Sequence, residues 1–455
     1  MHLIDKRVLV YGAGKSGISA TRLLQEQGAF VLLYDSNTNL KLDSFKEQFN
    51  IKKDFELIVG RFPEEIIADI DLVIISPGIP IDNSYVEQLR SVNLPIWGEI
   101  ELAYQMSKGK VIGITGTNGK TTTTFLTGEI LKTFFEDVHV VGNIGKPYTD
   151  IAHITDDNSI IVAELSSFQL ETIHEFKPDI SAILNISPDH LNRHHDMDTY
   201  ISVKEDITKN QDKSDVCILN YEDKVLRKMS ERLDKNVLFF SSQRALKNGI
   251  YLEEGKILMS ENGKRQVICH TDDLQVIGEH NYENVMVAVA IAMKLGVPLD
   301  YIKKSITSFN GMEHRIEYVD TINGVSYYND SKGTNPEASI KAIQAMEGPT
   351  ILIAGGFDKD SEFDQWIESF NNKVKTLVLM GETKYKIEKL ARSQGYDNIF
   401  IVDNLKEAVE ISTKEAIDGD KVLLSPACAS WGMFVDYEER GNLFKEYVVN
   451  LPRYG

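Results

Sequence analysis

The chain has 455 residues, of which 42% are hydrophobic and 26% are charged, and its formal net charge is -19. At roughly 100–200 residues per domain, this length predicts about two to four domains. The acidic balance argues against a general nucleic-acid or anionic-membrane partner, and no apolar run reaches the roughly 18 positions of a membrane helix. The cysteines are scattered, which predicts reduced, buried thiols in a cytoplasmic protein. They are Cys217, Cys269 and Cys428.

The first 97 residues alternate between strand and helix patterns. RVLVYGAGKSG (7–17) predicts a strand, a glycine-rich turn and a helix start, while FVLLYD (30–35) and DLVIISPGIP (71–80) predict further strands. The alternation indicates a parallel, Rossmann-like α/β sheet. GAGKSG matches G-x-G-x-x-G, and Asp35 stands where a ribose-binding acid is found. The turn is interpreted as a diphosphate site; a ligand-free turn and a dehydrogenase cofactor site are the alternatives.

A second strand–helix unit contains VIGITGTNGKTTTT (111–124). This stretch matches a Walker A phosphate loop except that position 114, where the first glycine is expected, is Ile. Backbone N–H groups in such a turn can converge on phosphate oxygens, Lys120 adds a positive charge, and Thr121 offers a hydroxyl to Mg²⁺. A polar helix cap is the alternative, but four threonines are poor residues for opening a helix. The loop therefore predicts nucleotide binding.

Polar residues follow other apolar runs of this unit. Glu164 ends SIIVAE, as a Walker B carboxylate does, although a strand-end acid can also face solvent. In SPDHLNRHH, His190 is a candidate metal ligand or proton carrier, whereas His194 and His195 are expected at the surface. HNYENVMVAVAIAMKLGV (280–297) predicts a long helix with two asparagines on one face of its first turn, which could simply cap it. No C-x-x-C or H-E-x-x-H pattern indicates zinc.

From residue 311 onward, apolar runs alternate with helical patterns again. TILIAGGFD (350–358) and KVLLSPACAS (421–430) predict strands, and Pro336 predicts the first position of a helix. Arg315 in EHRIE and the polar residues of NDSKGTN (329–335) are, by residue chemistry alone, a solvated charge and a surface loop.

Motifs in all three segments resemble those of the Mur ligases, which build the peptide of bacterial cell-wall precursors. The resemblance covers the whole chain and is closest to the D-glutamate-adding members, since the D-N-P-R motif of the diaminopimelate- or lysine-adding members is absent. The motifs are TGTNGKTTT, GNIG (142–145), ELSSFQLE (164–171), HNYEN, HRIE, YNDSKGTN and LSPACASWGMFVDYEERG (424–441).

The resemblance implies an α/β fold of three domains. These are a Rossmann-like UDP-sugar-binding domain at 1–97, a P-loop-type ATP-binding domain at 98–310 and a Rossmann-like amino-acid-binding domain at 311–455. It also implies ATP-dependent addition of D-glutamate to UDP-N-acetylmuramoyl-L-alanine, through an acyl phosphate and a tetrahedral intermediate, with Mg²⁺ at two sites. The implied enzyme is cytoplasmic and monomeric and has no nucleic-acid or membrane partner. A folylpolyglutamate synthase-like ligase, an NAD-dependent oxidoreductase and a non-enzymatic nucleotide switch stay open as alternatives.

The matching motifs also carry implied roles for individual residues. The implied catalytic residues are Lys120, His190, Lys204, Arg315 and Lys332. The implied ATP-binding residues are Gly116, Thr117, Asn118, Gly119, Lys120, Thr121, Thr122, Asn281, Asn284, Arg315 and Asp330. The implied metal ligands are Thr121, Glu164, His190 and, if carbamylated, Lys204. The implied UDP-sugar contacts are Gly14, Lys15, Ser16, Asp35, Ser36 and Asn143, and the implied D-glutamate contacts are Thr334, Lys359, Ser430 and Tyr437.

Overall fold

The computed structural model describes residues 3–41, 55–359 and 361–453. The chain divides into two compact units, Met1–Cys269 with Glu283–Ser305, and His270–Tyr282 with Ile306–Gly455. Across the described ranges, no helix has both the length and the hydropathy that crossing a bilayer requires.

The first unit contains two sheets, and the first of them is parallel throughout, as predicted. Its central strand has apolar side chains on both faces, and Val8, Leu9 and Val10 are fully buried, which is typical of a parallel strand covered on both sides. The described strands follow the order β3-β2-β1-β4-β5. They are β1 Arg7–Tyr11, β2 Phe30–Asp35, β3 Glu56–Val59, β4 Leu72–Ile75 and β5 Ile96–Gly98.

The second sheet of this unit is built around the strand that leads into the phosphate loop. In the described part of the chain its order is β14-β13-β12-β11-β10-β9-β6-β8-β7, with β6 parallel to both β8 and β9. The strands are β6 Lys110–Thr115, β7 Val138–Gly142, β8 Ile160–Glu164, β9 Ile180–Ile183, β10 Val216–Asn220, β11 Asn236–Ser241, β12 Gly249–Glu253, β13 Lys256–Glu261 and β14 Lys264–His270.

Helices connect many of the parallel strands, as parallel pairing requires, whereas β12 and β13 are antiparallel neighbours joined by a short turn. The helices are α1 Lys15–Glu26, α2 Ser84–Ser91, α3 Glu99–Met106, α4 Lys120–Lys132, α5 Ser167–Leu170, α6 Leu191–His194, α7 Met197–Glu205 and α8 Lys224–Ser230. Two further helices, α9 Glu279–Lys294 and α10 Leu299–Ser308, each contain a boundary between the compact units. Short 3₁₀ turns lie at Glu64–Asp69, Tyr148–Asp150, Ala152–Ile154, Asp206–Thr208 and Thr271–Asp273.

The second unit contains the third sheet. Over its described residues the order is β15-β16-β20-β17-β18-β19, parallel except for the β15–β16 pair. The strands are β15 Glu317–Ile322, β16 Val325–Asn329, β17 Thr350–Ala354, β18 Val374–Leu379, β19 Ile399–Ile401 and β20 Lys421–Leu424. The helices are α11 Pro336–Ala345, α12 Asp364–Glu368, α13 Lys384–Ser393, α14 Leu405–Glu415 and α15 Tyr437–Val449.

Most predicted elements are present where the sequence patterns put them. FVLLYD forms β2 and Pro336 opens α11, and all three cysteines are buried, with no disulfide among the described residues. The boundaries after residues 97 and 310 stay predictions. The first two sheets share one compact unit, and His270–Tyr282 groups with the third sheet.

Candidate nucleotide and substrate site

The loop between β6 and α4 has the geometry of a backbone cradle. Gly116 and Gly119 have φ values of 149° and 84°, which favour glycine. A Cβ on Gly119 would lie 2.5 Å from Asn284 Oδ1, so a side chain at this position would displace the Asn284 amide. Asn185 fixes the loop, because its carbonyl accepts from the Thr117 N–H at 2.9 Å. Helix α4 begins directly afterwards, and a helix N-terminus attracts anions.

Two lysine side chains meet at one carbonyl of this loop. Lys120 Nζ donates to the Gly116 and Thr117 carbonyls at 2.8 and 2.9 Å, and Lys204 Nζ donates to the same Gly116 oxygen at 2.9 Å. Lys204 is 1% exposed. Burial, and secondly the charge of Lys120, lower the pKa of Lys204 to about 7. The side chain therefore has a large neutral fraction near neutral pH.

Glu164 ends β8, next to the strand that carries the loop, and is buried instead of facing solvent. Its Oε1 accepts from Asn143 Nδ2 at 2.8 Å, while Oε2 is buried with no hydrogen-bond partner among the described residues. An orphaned buried carboxylate oxygen is costly unless a ligand completes it. Thr121 is half-buried at the start of α4, so a hydroxyl and a carboxylate are available to a cation here.

The described residues hold no cluster of three or more His, Cys, Asp or Glu side chains that could bind a metal ion by itself. The Thr121 hydroxyl and the Glu164 carboxylate fit Mg²⁺, which is commonly held by one or two carboxylates together with substrate phosphates and water. They do not fit a closed zinc site.

His190 precedes α6 and His194 ends it, and the two side chains lie in different environments. His190 has φ 52° and a half-exposed side chain, and its ring centroid is 4.8 Å from that of Phe168. The expectation that His194 lies at the surface is wrong. Its ring is buried against α5, with Nε2 2.9 Å from Ser167 Oγ. Burial, followed by the charge of Arg193, lowers its pKa to about 4. His195 is exposed, as expected.

A cavity of about 480 Å³ lies beside the turn after β1. Asp35 stiffens that turn, since its Oδ2 accepts from the Ala13 N–H at 2.8 Å, and Lys15 Nζ donates to the Gly145 carbonyl. The predicted residues Gly14, Lys15, Ser16, Asp35 and Asn143 line the cavity, and Ser36 does not. The sequence prediction missed Ser76, Pro77, Gly78, Ile79, Gly142 and Gln169. The first four of these form the stretch SPGI, which follows the DLVII strand. A polar, glycine-containing turn at the end of a strand could have indicated them.

The predicted ATP residues of the HNYEN segment fall in different compact units. Asn284 belongs to the first unit, where its Oδ1 accepts from Thr123 Oγ1 at 3.1 Å. Asn281 belongs to the second unit, and its Nδ2 donates to the Ile277 carbonyl at 2.8 Å. The Asn281 amide thus anchors the segment that precedes α9, while Asn284 braces the phosphate loop.

Asp330 and Arg315 are close enough to interact electrostatically within the second unit. Asp330 is buried, and Ser425 Oγ donates to its Oδ2 at 2.6 Å. Burial raises the pKa of Asp330 to about 7, although the Ser425 hydrogen bond and the Arg315 charge oppose the shift. Arg315 Nε is buried and has no hydrogen-bond partner among the described residues. Arg315 thus provides a buried guanidinium nitrogen with unused hydrogen-bonding capacity near the Asp330 carboxyl group.

The residues predicted to bind an amino acid are collected at one edge of the third sheet. Strands β16, β20 and β17 are parallel neighbours, and Thr334, Ser430 and Lys359 follow their carboxyl ends. Tyr437 opens α15, with Lys332 Nζ 5.3 Å from its ring centroid.

The sequence prediction missed Arg440, which is fully buried. Its Nε and Nη2 donate to the Ser331 hydroxyl and carbonyl at 2.9 and 2.7 Å, so it fixes the start of the loop that carries Lys332. A charged residue in a polar helix pattern gives no sign of burial.

The fold and the loop define the class of protein as a P-loop-type α/β protein. Three family models match consecutive parts of it: Mur ligase MurD-like, N-terminal domain (6–98), Mur ligase middle domain (114–292), and Mur ligase, glutamate ligase domain (314–428). The chain belongs to the Mur ligase family. The family is ATP-dependent, and one similar solved structure is the MurF ligase of Thermotoga maritima in complex with ADP (16% identity, TM-score 0.58, covering 98% of this chain and 96% of that one).

Curated proteins that are similar in sequence match this chain over nearly its full length. The UDP-N-acetylmuramoylalanine–D-glutamate ligase of Lachnoclostridium phytofermentans is 55% identical over 99% of each chain. The ligase of the same name from Clostridioides difficile is 45% identical over 99% of this chain and 100% of its own. Among solved structures, the UDP-N-acetylmuramate-alanine ligase MurC of Thermotoga maritima has 19% identity and a TM-score of 0.60, covering 97% of this chain and 99% of that one. The likenesses to both solved structures concern the fold alone.

Proposed function

We propose that this protein joins D-glutamate to UDP-N-acetylmuramoyl-L-alanine at the expense of ATP, in the synthesis of peptidoglycan precursors. The observation that carries the proposal is a buried Glu164 with an orphaned oxygen, on the strand beside the Lys120 loop. It occurs in a chain 55% identical, over nearly full length, to a relative named for this reaction.

The first half of the reaction activates a carboxylate. ATP, when bound, supplies the γ-phosphoryl group that converts the substrate carboxylate into an acyl phosphate, with ADP leaving. Lys120 and the N-terminus of α4 hold phosphate oxygens and stabilise the negative charge that develops during transfer. Gly116, Thr117, Asn118, Gly119 and Thr122 shape the cradle. Asn281, Asn284, Arg315 and Asp330 are proposed to complete the ATP site.

Two Mg²⁺ sites are proposed. Thr121 and Glu164 would hold the first ion, which fits the orphaned Glu164 oxygen. His190 would serve the second site or carry a proton. Lys204 would join it after its neutral amine takes up CO₂ and loses a proton, forming a carbamate. Burial of Lys204 and its pKa of about 7 favour that neutral amine.

The second half of the reaction forms the amide. The D-glutamate amine attacks the acyl phosphate carbon, and the tetrahedral intermediate expels phosphate. The proposed D-glutamate contacts are Thr334, Lys359, Ser430 and Tyr437, with Lys332 as an additional cation near the reacting groups. The 480 Å³ cavity is proposed to hold the UDP sugar, with Asn143 between it and Glu164. The three buried thiols support a cytoplasmic setting, and a monomer is proposed.

The test is phosphate release from Mg-ATP with UDP-N-acetylmuramoyl-L-alanine, across a panel of D- and L-amino acids. Release that requires both the UDP sugar and D-glutamate is expected. If another amino acid is required instead, the proposed substrate is wrong and the proposed reaction type stands. Release without either substrate would contradict the ligase proposal.

A matched pair of variants controls for general damage. Lys120→Ala should lower turnover by about 10²–10³-fold, the order found when one electrostatic donor is removed from a site. Lys132→Ala, at the other end of α4, should match wild type, because Lys132 is exposed and its one ion pair among the described residues is with Glu129, three residues away. Similar losses in both variants would contradict the role of Lys120.

A further inference from the structure

The loop that follows β17 and the loop that follows β20 are joined by backbone and aromatic contacts. The Phe357 N–H donates to the Ala429 carbonyl at 3.0 Å. The Phe357 and Trp431 ring centroids are 5.6 Å apart, with an angle of 61° between the ring planes. Trp431 is nevertheless 53% exposed. The indole is thus held at the edge of the sheet without being part of the core.

Lys359 lies against this indole. Its Nζ is 4.8 Å from the Trp431 ring centroid, within the range at which an ammonium is attracted to an aromatic face. Among the described residues, no carboxylate forms an ion pair with Lys359; the neighbouring Asp358 pairs with Lys386 at 2.7 Å. The Lys359 ammonium is therefore oriented by the ring and still available to a carboxylate ligand.

A lysine side chain loses rotamer freedom when it is fixed. The indole reduces this loss on ligand binding because it already restricts Lys359 in the free protein. We propose that Trp431 is a positioning residue that holds Lys359 ready for the side-chain carboxylate of the incoming acidic amino acid. This inference rests on the proposed function, in which Lys359 contacts D-glutamate.

The experiment compares steady-state kinetics of Trp431→Leu, Trp431→Phe and wild type, with each substrate varied in turn. Loss of an exposed cation–π contact should raise KM for D-glutamate by about 2–5-fold in Trp431→Leu. kcat and KM for the other two substrates should be unchanged. Trp431→Phe keeps an aromatic face and should recover most of the wild-type KM.

Tyr385→Leu is the matched control. Tyr385 is also exposed and also lies under a lysine, with Lys384 Nζ 5.5 Å from its ring centroid, but it is outside the proposed amino-acid site. This variant should leave KM for D-glutamate unchanged. In a Lys359→Met background, Trp431→Leu should have no further effect, because the two side chains act as one unit.

Three results would overturn the inference while the ligase activity stands: an unchanged KM in Trp431→Leu, an equal rise in Trp431→Phe, or an equal effect of Trp431→Leu with and without Lys359. Absence of D-glutamate-dependent turnover in wild type would overturn the proposed function, and the inference with it.

Discussion

Lys204 illustrates how much the candidate site depends on the surroundings of single residues. Its ammonium shares the Gly116 carbonyl with Lys120, and the side chain is buried. A buried cation beside a second cation favours the neutral form. Glu164 presents the opposite case, a buried carboxylate with one oxygen unsatisfied. The proposed CO₂ adduct would use the neutral Lys204 amine, and the proposed Mg²⁺ would satisfy the free Glu164 oxygen.

Lys204 should take up CO₂ more readily as the pH rises through about 7. The folded-state pKa of about 7 lies below the ordinary 10.5, so the reactive neutral amine is the main form above pH 7. We expect the ¹³C NMR carbamate signal of protein equilibrated with ¹³C-bicarbonate to grow between pH 6 and 8. Lys204→Ala should lack this signal. A carbamate signal of equal size in Lys204→Ala would contradict the assignment.

Gly119→Ala tests the cradle. At φ 84° any side chain is strained, and here the Cβ would also meet Asn284 Oδ1 at 2.5 Å. We expect a rise in KM for ATP of at least about tenfold, because either the loop or the Asn284 side chain that braces it must shift. Gly296→Ala is the control, since its φ is 83° but its Cβ would have no neighbour within 4 Å. Equal effects of both variants on KM would show that backbone strain, not crowding of the loop, is responsible.

At the scale of the element, α3 carries two buried carboxylates in different states. Glu101 accepts from the backbone N–H groups of His174, Glu175 and Phe176 at 2.7–3.1 Å. Glu99 Oε1 accepts from the Thr149 N–H at 2.7 Å, but its Oε2 is buried without a partner in the described structure. Burial raises the pKa of Glu99 to about 7. The same helix thus carries one carboxylate whose hydrogen bonds are made, Glu101, and one with an unpaired oxygen, Glu99.

Glu99 should make the protein less stable as the pH rises from about 4.5 to about 7. Glu99 keeps its proton to higher pH in the native state than in the unfolded chain. Its contribution to the free energy of unfolding is therefore greatest below the unfolded-state pKa and is lost as the pH rises through the folded-state pKa. The loss is roughly 3 kcal/mol at most. Thermal unfolding at pH 5 and pH 8 should therefore show a larger change in Tm for wild type than for Glu99→Gln. Glu101→Gln should lower Tm at both pH values, because an amide N–H₂ would face three N–H donors. An unchanged pH dependence in Glu99→Gln would refute the assignment.

At the scale of the whole molecule, the sequence predicted the strands better than the burial of charged residues. Apolar runs such as those of β2, β6 and β8 define the strands through local patterns, and parallel pairing then brings the loop at Lys120 beside Glu164. The burial of His194, Lys204 and Arg440 depends instead on residues distant in sequence, which no local pattern records. Motif resemblance supplied the roles of Arg315 and Asp330, whereas residue chemistry alone indicated only a solvated charge and a polar loop.

The chain passes between its two compact units three times, after Cys269, Tyr282 and Ser305. Neither unit is therefore encoded by one uninterrupted stretch of gene. A fragment starting near residue 306 would lack Ile277, which packs on the core of the second unit, and Gly278, which approaches Ala345. Exchange of the second unit between relatives would accordingly need three junctions, with 270–282 transplanted together with 306–455.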